Sequence, residues 1–295
     1  MYQSIYNRNI RLFVFFLLSF LLACQVLRSQ TDTLTEIIHT DKEKSEYYKQ
    51  ERLSLCLGYF ITGNNAEITF GSKQAGLGVL IDFEDALGLE ASNFVFRGNA
   101  IFSYGKRRQH ALVVDYFNIN RKATKTLEAE LEFGDNIYPI GETIKSKLYM
   151  SIIRAKYEYT FVQDERVSIG FSAGLFIMPL SFSLETSNID DQSATMVAPL
   201  PLLGLRSDFM ITKKLVMKQS AELLYLQVDN FKGGIIDLNF AVEHRTFKHF
   251  GIGLGINANR LNISATGEDY PGVDFFGSVK MDYTGAFFYL SYYLW

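Results

Sequence analysis

The sequence predicts an all-β protein: an up-and-down antiparallel β-barrel of about ten strands that crosses a membrane. Three observations lead there. An apolar run near the N-terminus is too short to span a bilayer as a helix, and no later run of helix-spanning length follows it. From Leu53 onward, apolar and polar residues alternate with period two, the mark of strands with two different faces. The last segment then carries alternating aromatics to Trp295, the final residue.

The N-terminal run has the organisation of an export signal. Arg8 and Arg11 flank an apolar stretch over residues 12–23, interrupted by Ser19. A membrane-spanning helix needs about 20 residues, whereas this length suits a secretory signal. Cleavage after Ser29 places the signal in residues 1–29. A rival cut lies before Cys24, because Leu21, Leu22 and Ala23 ahead of it form a lipobox-like stretch in which Cys24 would be lipidated. Residues 30–52 are highly charged. They read as a periplasmic leader, either solvated or forming a short helix at the barrel mouth. The barrel is expected over 53–295.

Ten segments alternate: roughly 53–71, 92–104, 110–120, 145–163, 166–184, 196–212, 215–229, 234–247, 250–266 and 277–295. In 148–161 one face reads Tyr149, Ser151, Ile153, Ala155, Tyr157, while the other carries Arg154, Lys156 and Glu158. The connections alternate in length. Those at 105–109, 164–165, 213–214 and 248–249 are short; those at 72–91, 121–144, 185–195, 230–233 and 266–276 are longer. Short turns at one end and long loops at the other is the layout of an outer-membrane barrel, and an even strand count returns both termini to one side. Residues 66–70 and 76–83 read equally as strand or extended loop, so eight or twelve strands also fit.

In the last segment the alternation runs Tyr283, Gly285, Phe287, Tyr289, Ser291, Tyr293, Trp295. Amphipathic rings favour the headgroup level of a membrane, so Tyr289, Tyr293 and Trp295 are expected to face lipid as interface anchors.

Short motifs add a resemblance. Asp82-Phe83-Glu84-Asp85-Ala86-Leu87-Gly88-Leu89, residues 198–205 (APLPLLGL) and 285–291 (GAFFYLS) resemble segments of a family of small, largely uncharacterised Gram-negative outer-membrane barrels. The resemblance implies fold and location over most of 53–295. It supplies no reaction and no catalytic residues.

With the oily face of each strand assigned to lipid, the inward charges are Arg97, Arg154, Lys156, Arg206, Lys218, Arg245 and Lys280, against Asp115, Glu158, Asp208, Glu222, Asp237, Glu243 and Asp282. Seven of each sign suit a paired network that fills the lumen, because an isolated ion in a narrow barrel costs several kcal/mol. An ion-selective pore more often carries an excess of one sign. The expectation is therefore a plugged barrel acting as a structural or surface-interaction protein. A narrow solute channel and a rim-active hydrolase stand as alternatives.

Little in the sequence points to chemistry. His110, His244 and His249 fall at or beside short turns, His39 falls in the leader, and no G-x-S-x-G elbow occurs. Cys24 and Cys56 have no zinc-site spacing. Asp82, Glu84 and Asp85 are the candidate for a divalent cation, with turn capping as the competing role. No cofactor is expected. The expected partners are outer-membrane lipid, lipopolysaccharide and the barrel-assembly machinery. A net charge of −3 without a basic run argues against nucleic acid.

Overall fold

A computed structural model describes residues 51–70, 80–133, 136–186, 192–229, 231–270 and 273–294. The signal sequence with Cys24, the leader up to residue 50 with its predicted helix and His39, and Trp295 lie outside the described residues. Ten strands form the wall: β1 (Leu53–Phe70), β2 (Ser92–Tyr104), β3 (His110–Thr126), β4 (Thr143–Gln163), β5 (Val167–Glu185), β6 (Gln192–Met210), β7 (Leu215–Val228), β8 (Phe231–His244), β9 (Phe250–Tyr270) and β10 (Val273–Leu294). Consecutive strands pair antiparallel. β10 closes on β1, from Leu53 opposite Leu294 to Phe70 opposite Gly277. The protein is thus a closed ten-stranded barrel, with no helix among the described residues.

Closure of β10 on β1 leaves no free edge strand, and most of the backbone is paired within the wall, as a membrane requires. The outer face carries a belt of exposed apolar side chains in cross-strand register. Leu57 lies opposite Leu290 and Gly98, Tyr59 opposite Phe288 and Phe96, and Ile61 opposite Ala286 and Phe94. Ile252, Leu254 and Ile256 continue it on β9.

Several strands are longer than the sequence suggested. β9 and β10 reach Tyr270 and start at Val273, and β7 and β8 are separated by two residues, where 266–276 and 230–233 were expected to be longer loops. The tight β7–β8 turn holds Asp229 at a positive φ of 48°. A strand needs about 9–11 residues to cross a bilayer, so strands of 21 and 22 residues project beyond it. Toward that end the outer faces of β9 and β10 turn polar, at Asn262, Lys280 and Asp282.

Two ladders stop part-way up the wall. β2 and β3 pair only from Tyr104–His110 to Arg97–Phe117. β6 and β7 pair only from Met210–Val216 to Leu203–Leu223. In the second case the cause is local. Pro199 and Pro201 lie just past the last pair and have no N–H to donate to β7. Beyond these points each of the four strands stays paired on its other side.

That interior has two storeys. Toward the long loops it is apolar: Leu148, Met150 and Ile152 of β4, Phe176, Met178 and Phe182 of β5, Leu200 and Leu202 of β6, and Leu261 and Ile263 of β9 form one buried cluster. The β1–β2 connection folds into it. Its short strand Leu80–Asp82 pairs with β1, and Ile81, Phe83, Leu87 and Leu89 are buried. Phe83 stacks on Phe182 with ring centroids 4.8 Å apart. Toward the short turns the interior is polar.

Candidate functional site

The polar storey is built by inward residues alternating with the lipid-facing ones. On β4, Arg154, Lys156 and Glu158 point in, as the alternation predicts. Arg154 is buried at the centre. Its Nη1 lies 3.2 Å from Asp237 and 3.5 Å from Glu222, and its Nε 3.8 Å from Asp115. Lys156 contacts Glu222 directly and reaches Asp115 at 3.9 Å and Glu158 at 3.8 Å. Asp115 also receives Asn99 at 2.9 Å and faces Arg97 at 3.6 Å. The Arg97 guanidinium lies over the rings of Phe117 and Phe287. Asp237 accepts from Asn257 at 3.0 Å and Asn259 at 2.9 Å.

Two satellite groups complete it. Arg206 binds Asp208 at 2.6 Å and Glu158 at 3.0 Å, and donates to Thr160 at 3.0 Å. Glu243 accepts from Lys218 and from Ser291, both at 2.8 Å, and from the Tyr293 hydroxyl. At the mouth, Glu51 ties Arg245 (3.2 Å) to Arg108 (3.8 Å). Between these groups lies a cavity of about 190 Å³ whose lining includes Cys56, Arg97, Lys156, Glu222, Tyr289 and Tyr293. It is a polar cup at the short-turn end, with the apolar storey as its floor.

Of the fourteen predicted lumen charges, twelve line this interior: six basic and six acidic. Lys280 and Asp282 do not. They lie on the outer face of β10, where Lys280 faces Glu67 at 3.6 Å and Asp282 receives both Nε (3.0 Å) and Nη2 (2.8 Å) of Arg260. The same inversion moves the aromatics of β10. Tyr289 is 8% exposed and Tyr293 3%, so both point into the barrel, not to lipid; the outward set is Phe288, Leu290 and Tyr292. The reason is steric. The inward face of β9 carries Gly251, Gly253 and Gly255, and a Cβ on any of them would collide with the ring of Tyr293, Tyr289 or Phe287. The rings lie where β9 has no side chain.

The acidic trio does not converge on a cation. Among the described residues no group of three or more His, Cys, Asp or Glu could hold a metal. Asp82 accepts the Asp85 N–H at 2.7 Å and caps the turn that ends at Gly88, whose φ is +69°. Glu84 pairs with buried Arg121 at 2.5 Å and accepts the Ala66 N–H at 3.0 Å. Both carboxylates are used in seating the connection inside the barrel. The Arg121–Glu84 pair went unseen in the sequence because Arg121 was read as the start of a loop.

The three histidines described all lie at the short-turn end. His110 is wedged among Tyr104, Tyr157 and Tyr159, with Nδ1 2.6 Å from the Tyr157 hydroxyl. His244 contacts Thr246, and His249 contacts the Tyr293 carbonyl.

No family model matches the chain, and no curated protein matches it in sequence. Among solved structures, the outer-membrane protease OmpT of Escherichia coli aligns with a TM-score of 0.52 at 8% identity, over 86% of this chain and 100% of that one. Ail, the attachment invasion locus protein of Yersinia pestis, aligns at 0.34 and 10% identity, over 81% and 99%. The P. putida toluene transporter TodX aligns at 0.34 and 7% identity, over 83% and 90%. The likeness to OmpT is one of fold: this chain has the architecture of small Gram-negative outer-membrane β-barrels.

Proposed function

We propose that this chain is a non-conducting, non-catalytic barrel of the outer membrane, with its short turns in the periplasm and its projecting strands at the cell surface. Its role in this reading is structural or interactive, exercised through those projecting strands. The observation that carries the reading is the packed apolar storey. It fills the lumen with side chains from β1, β3, β5 and β10, with Phe60, Phe117, Phe176, Phe182 and Tyr283 fully buried. Ions do not cross a packed, mostly apolar layer cheaply, so in this reading the polar cup ends blindly against it.

A channel would need a continuous polar path; the charge network lies toward the short turns, and the buried Arg121–Glu84 pair at the other end is separated from it along β3 by Phe117 and Ile119. A rim hydrolase would need an acid–histidine pair at the long-loop end. The described histidines lie at the other end, each in a local contact. The proposed partners are those the location implies: outer-membrane lipid, lipopolysaccharide and the barrel-assembly machinery. Planar-bilayer recording tests the reading. Purified barrel is expected to give no stable open level, and steady conductance by the unaltered protein would replace this reading with the channel.

A further inference from the structure

The β2–β3 seam differs from the β6–β7 seam in one respect. No proline accounts for it. Residues 92–96 of β2 and 118–122 of β3 stand side by side without a ladder, so their backbone groups on that side need other partners. Asn93 partly supplies one, its Nδ2 reaching the Asn120 carbonyl at 3.5 Å. What remains is a hollow of about 330 Å³ lined by Glu90, Asn93, Asn120, Arg121 and Lys122.

The hollow's surroundings point to its occupant. Lys122 is exposed and stands directly opposite Lys147 across the β3–β4 ladder. Like charges directly opposite are destabilising, and a further anion beside them would relieve the repulsion. Lys147 also contacts Glu185, and Lys145 stands one outward position further along β4. Against these three cations, Glu185 and Glu90 are the nearby acids. Just below the hollow, at the top of the lipid belt, Phe94 is 78% exposed, the most exposed large apolar side chain described. Tyr149, opposite Asn120, is half-exposed beside it. The hollow, with Lys122 in its lining and Lys147 opposite that residue, sits directly above bare aromatic surface on a membrane-facing wall.

We propose that this seam is a binding site for the phosphorylated headgroup of a membrane amphiphile. Lys122 and Lys147 hold the phosphate, Asn93 and Asn120 hydrogen-bond the headgroup, and an acyl chain lies along Phe94. The inference rests on the membrane placement proposed above. Juxtamembrane cations attract anionic headgroups, and here the attraction is focused where the wall lacks backbone pairing.

The test uses the full barrel in phosphatidylcholine nanodiscs, titrated separately with lipid A, dephosphorylated lipid A and inorganic phosphate, with bound lipid counted by native mass spectrometry. Lipid A is expected to bind, the dephosphorylated form at least tenfold more weakly, and inorganic phosphate not measurably. Lys122→Ala with Lys147→Ala is expected to lower lipid A affinity roughly thirtyfold, and Phe94→Ala to weaken it. Lys232→Ala with Lys280→Ala, elsewhere on the wall, should leave it unchanged. Equal binding of both lipid forms, indifference to the Lys122 and Lys147 changes, or equally tight binding of inorganic phosphate would each overturn the proposal. Heat-modifiable migration of every variant checks that the barrel is folded. Failure to insert into nanodiscs at all would instead count against the membrane placement.

Discussion

Tyr289 and Gly253 are direct cross-strand partners on β10 and β9, and the tyrosine ring occupies the space a side chain at 253 would need: a Cβ there would lie 2.2 Å from its Cζ. On its other side Tyr289 faces Gly58 of β1, where a Cβ would lie 2.7 Å from the tyrosine Cβ. Tyr289 thus stands between two bare backbone positions where the barrel closes, its ring over Gly253 and its Cβ against Gly58.

This relationship predicts the effect of filling the gap. Gly253→Ala is expected to destabilise the folded barrel by about 1–3 kcal/mol through overpacking. With Tyr289→Ala in the same chain the cost of the added methyl should largely vanish, because the two residues share one space. Urea unfolding in detergent, followed by tryptophan-independent far-UV dichroism, measures both. Additive losses would mean that the ring does not lie over Gly253.

A second prediction separates inner charges from outer ones. Arg154→Ala removes the cation shared by Asp237, Glu222 and Asp115 at the centre of the network and should cost about 3–5 kcal/mol. Arg260→Ala breaks an exposed pair with Asp282 and should cost under about 1 kcal/mol. Arg206→Ala combined with Asp208→Ala should cost less than the sum of the single changes, since those two side chains touch. Equal losses for Arg154 and Arg260 would contradict the division into interior and wall.

The plug predicts a third outcome. Phe83→Ala with Phe182→Ala removes a stacked pair from the apolar storey and should give brief open events in planar bilayers. Arg154→Ala alone should not, because the apolar floor above it remains. A leak from the arginine variant without one from the double phenylalanine variant would place the barrier in the polar storey.

The fourth concerns orientation. The β3–β4 connection carries a small hairpin, Leu131–Phe133 with Asn136–Tyr138, and is expected outside the cell. The turn at 105–109 is expected inside. Protease added to intact cells should cut the first and spare the second. The reverse pattern would invert the barrel.

The sequence by itself determined the architecture and most of the interior. Ten alternating segments favoured ten strands with eight or twelve still open, and the closure of β10 on β1 fixed the count at ten. On β4, where one face holds Arg154, Lys156 and Glu158 and the other Ile153, Tyr157 and Phe161, the inward side was legible because only one face tolerates lipid. On β10 the same logic fails. Tyr289 and Tyr293 on one face are matched by Phe288, Leu290 and Tyr292 on the other, so burial in lipid and burial in the lumen are both open to either set. Register with β9 settled it, because the glycines at 251, 253 and 255 leave room for rings on the inside, and Lys280 and Asp282 were carried outward with the opposite face. The seams were equally out of reach. Alternation describes one strand's two faces and says nothing of where a ladder between two strands ends. At the β6–β7 seam that is set by prolines that leave β6 without donors toward β7.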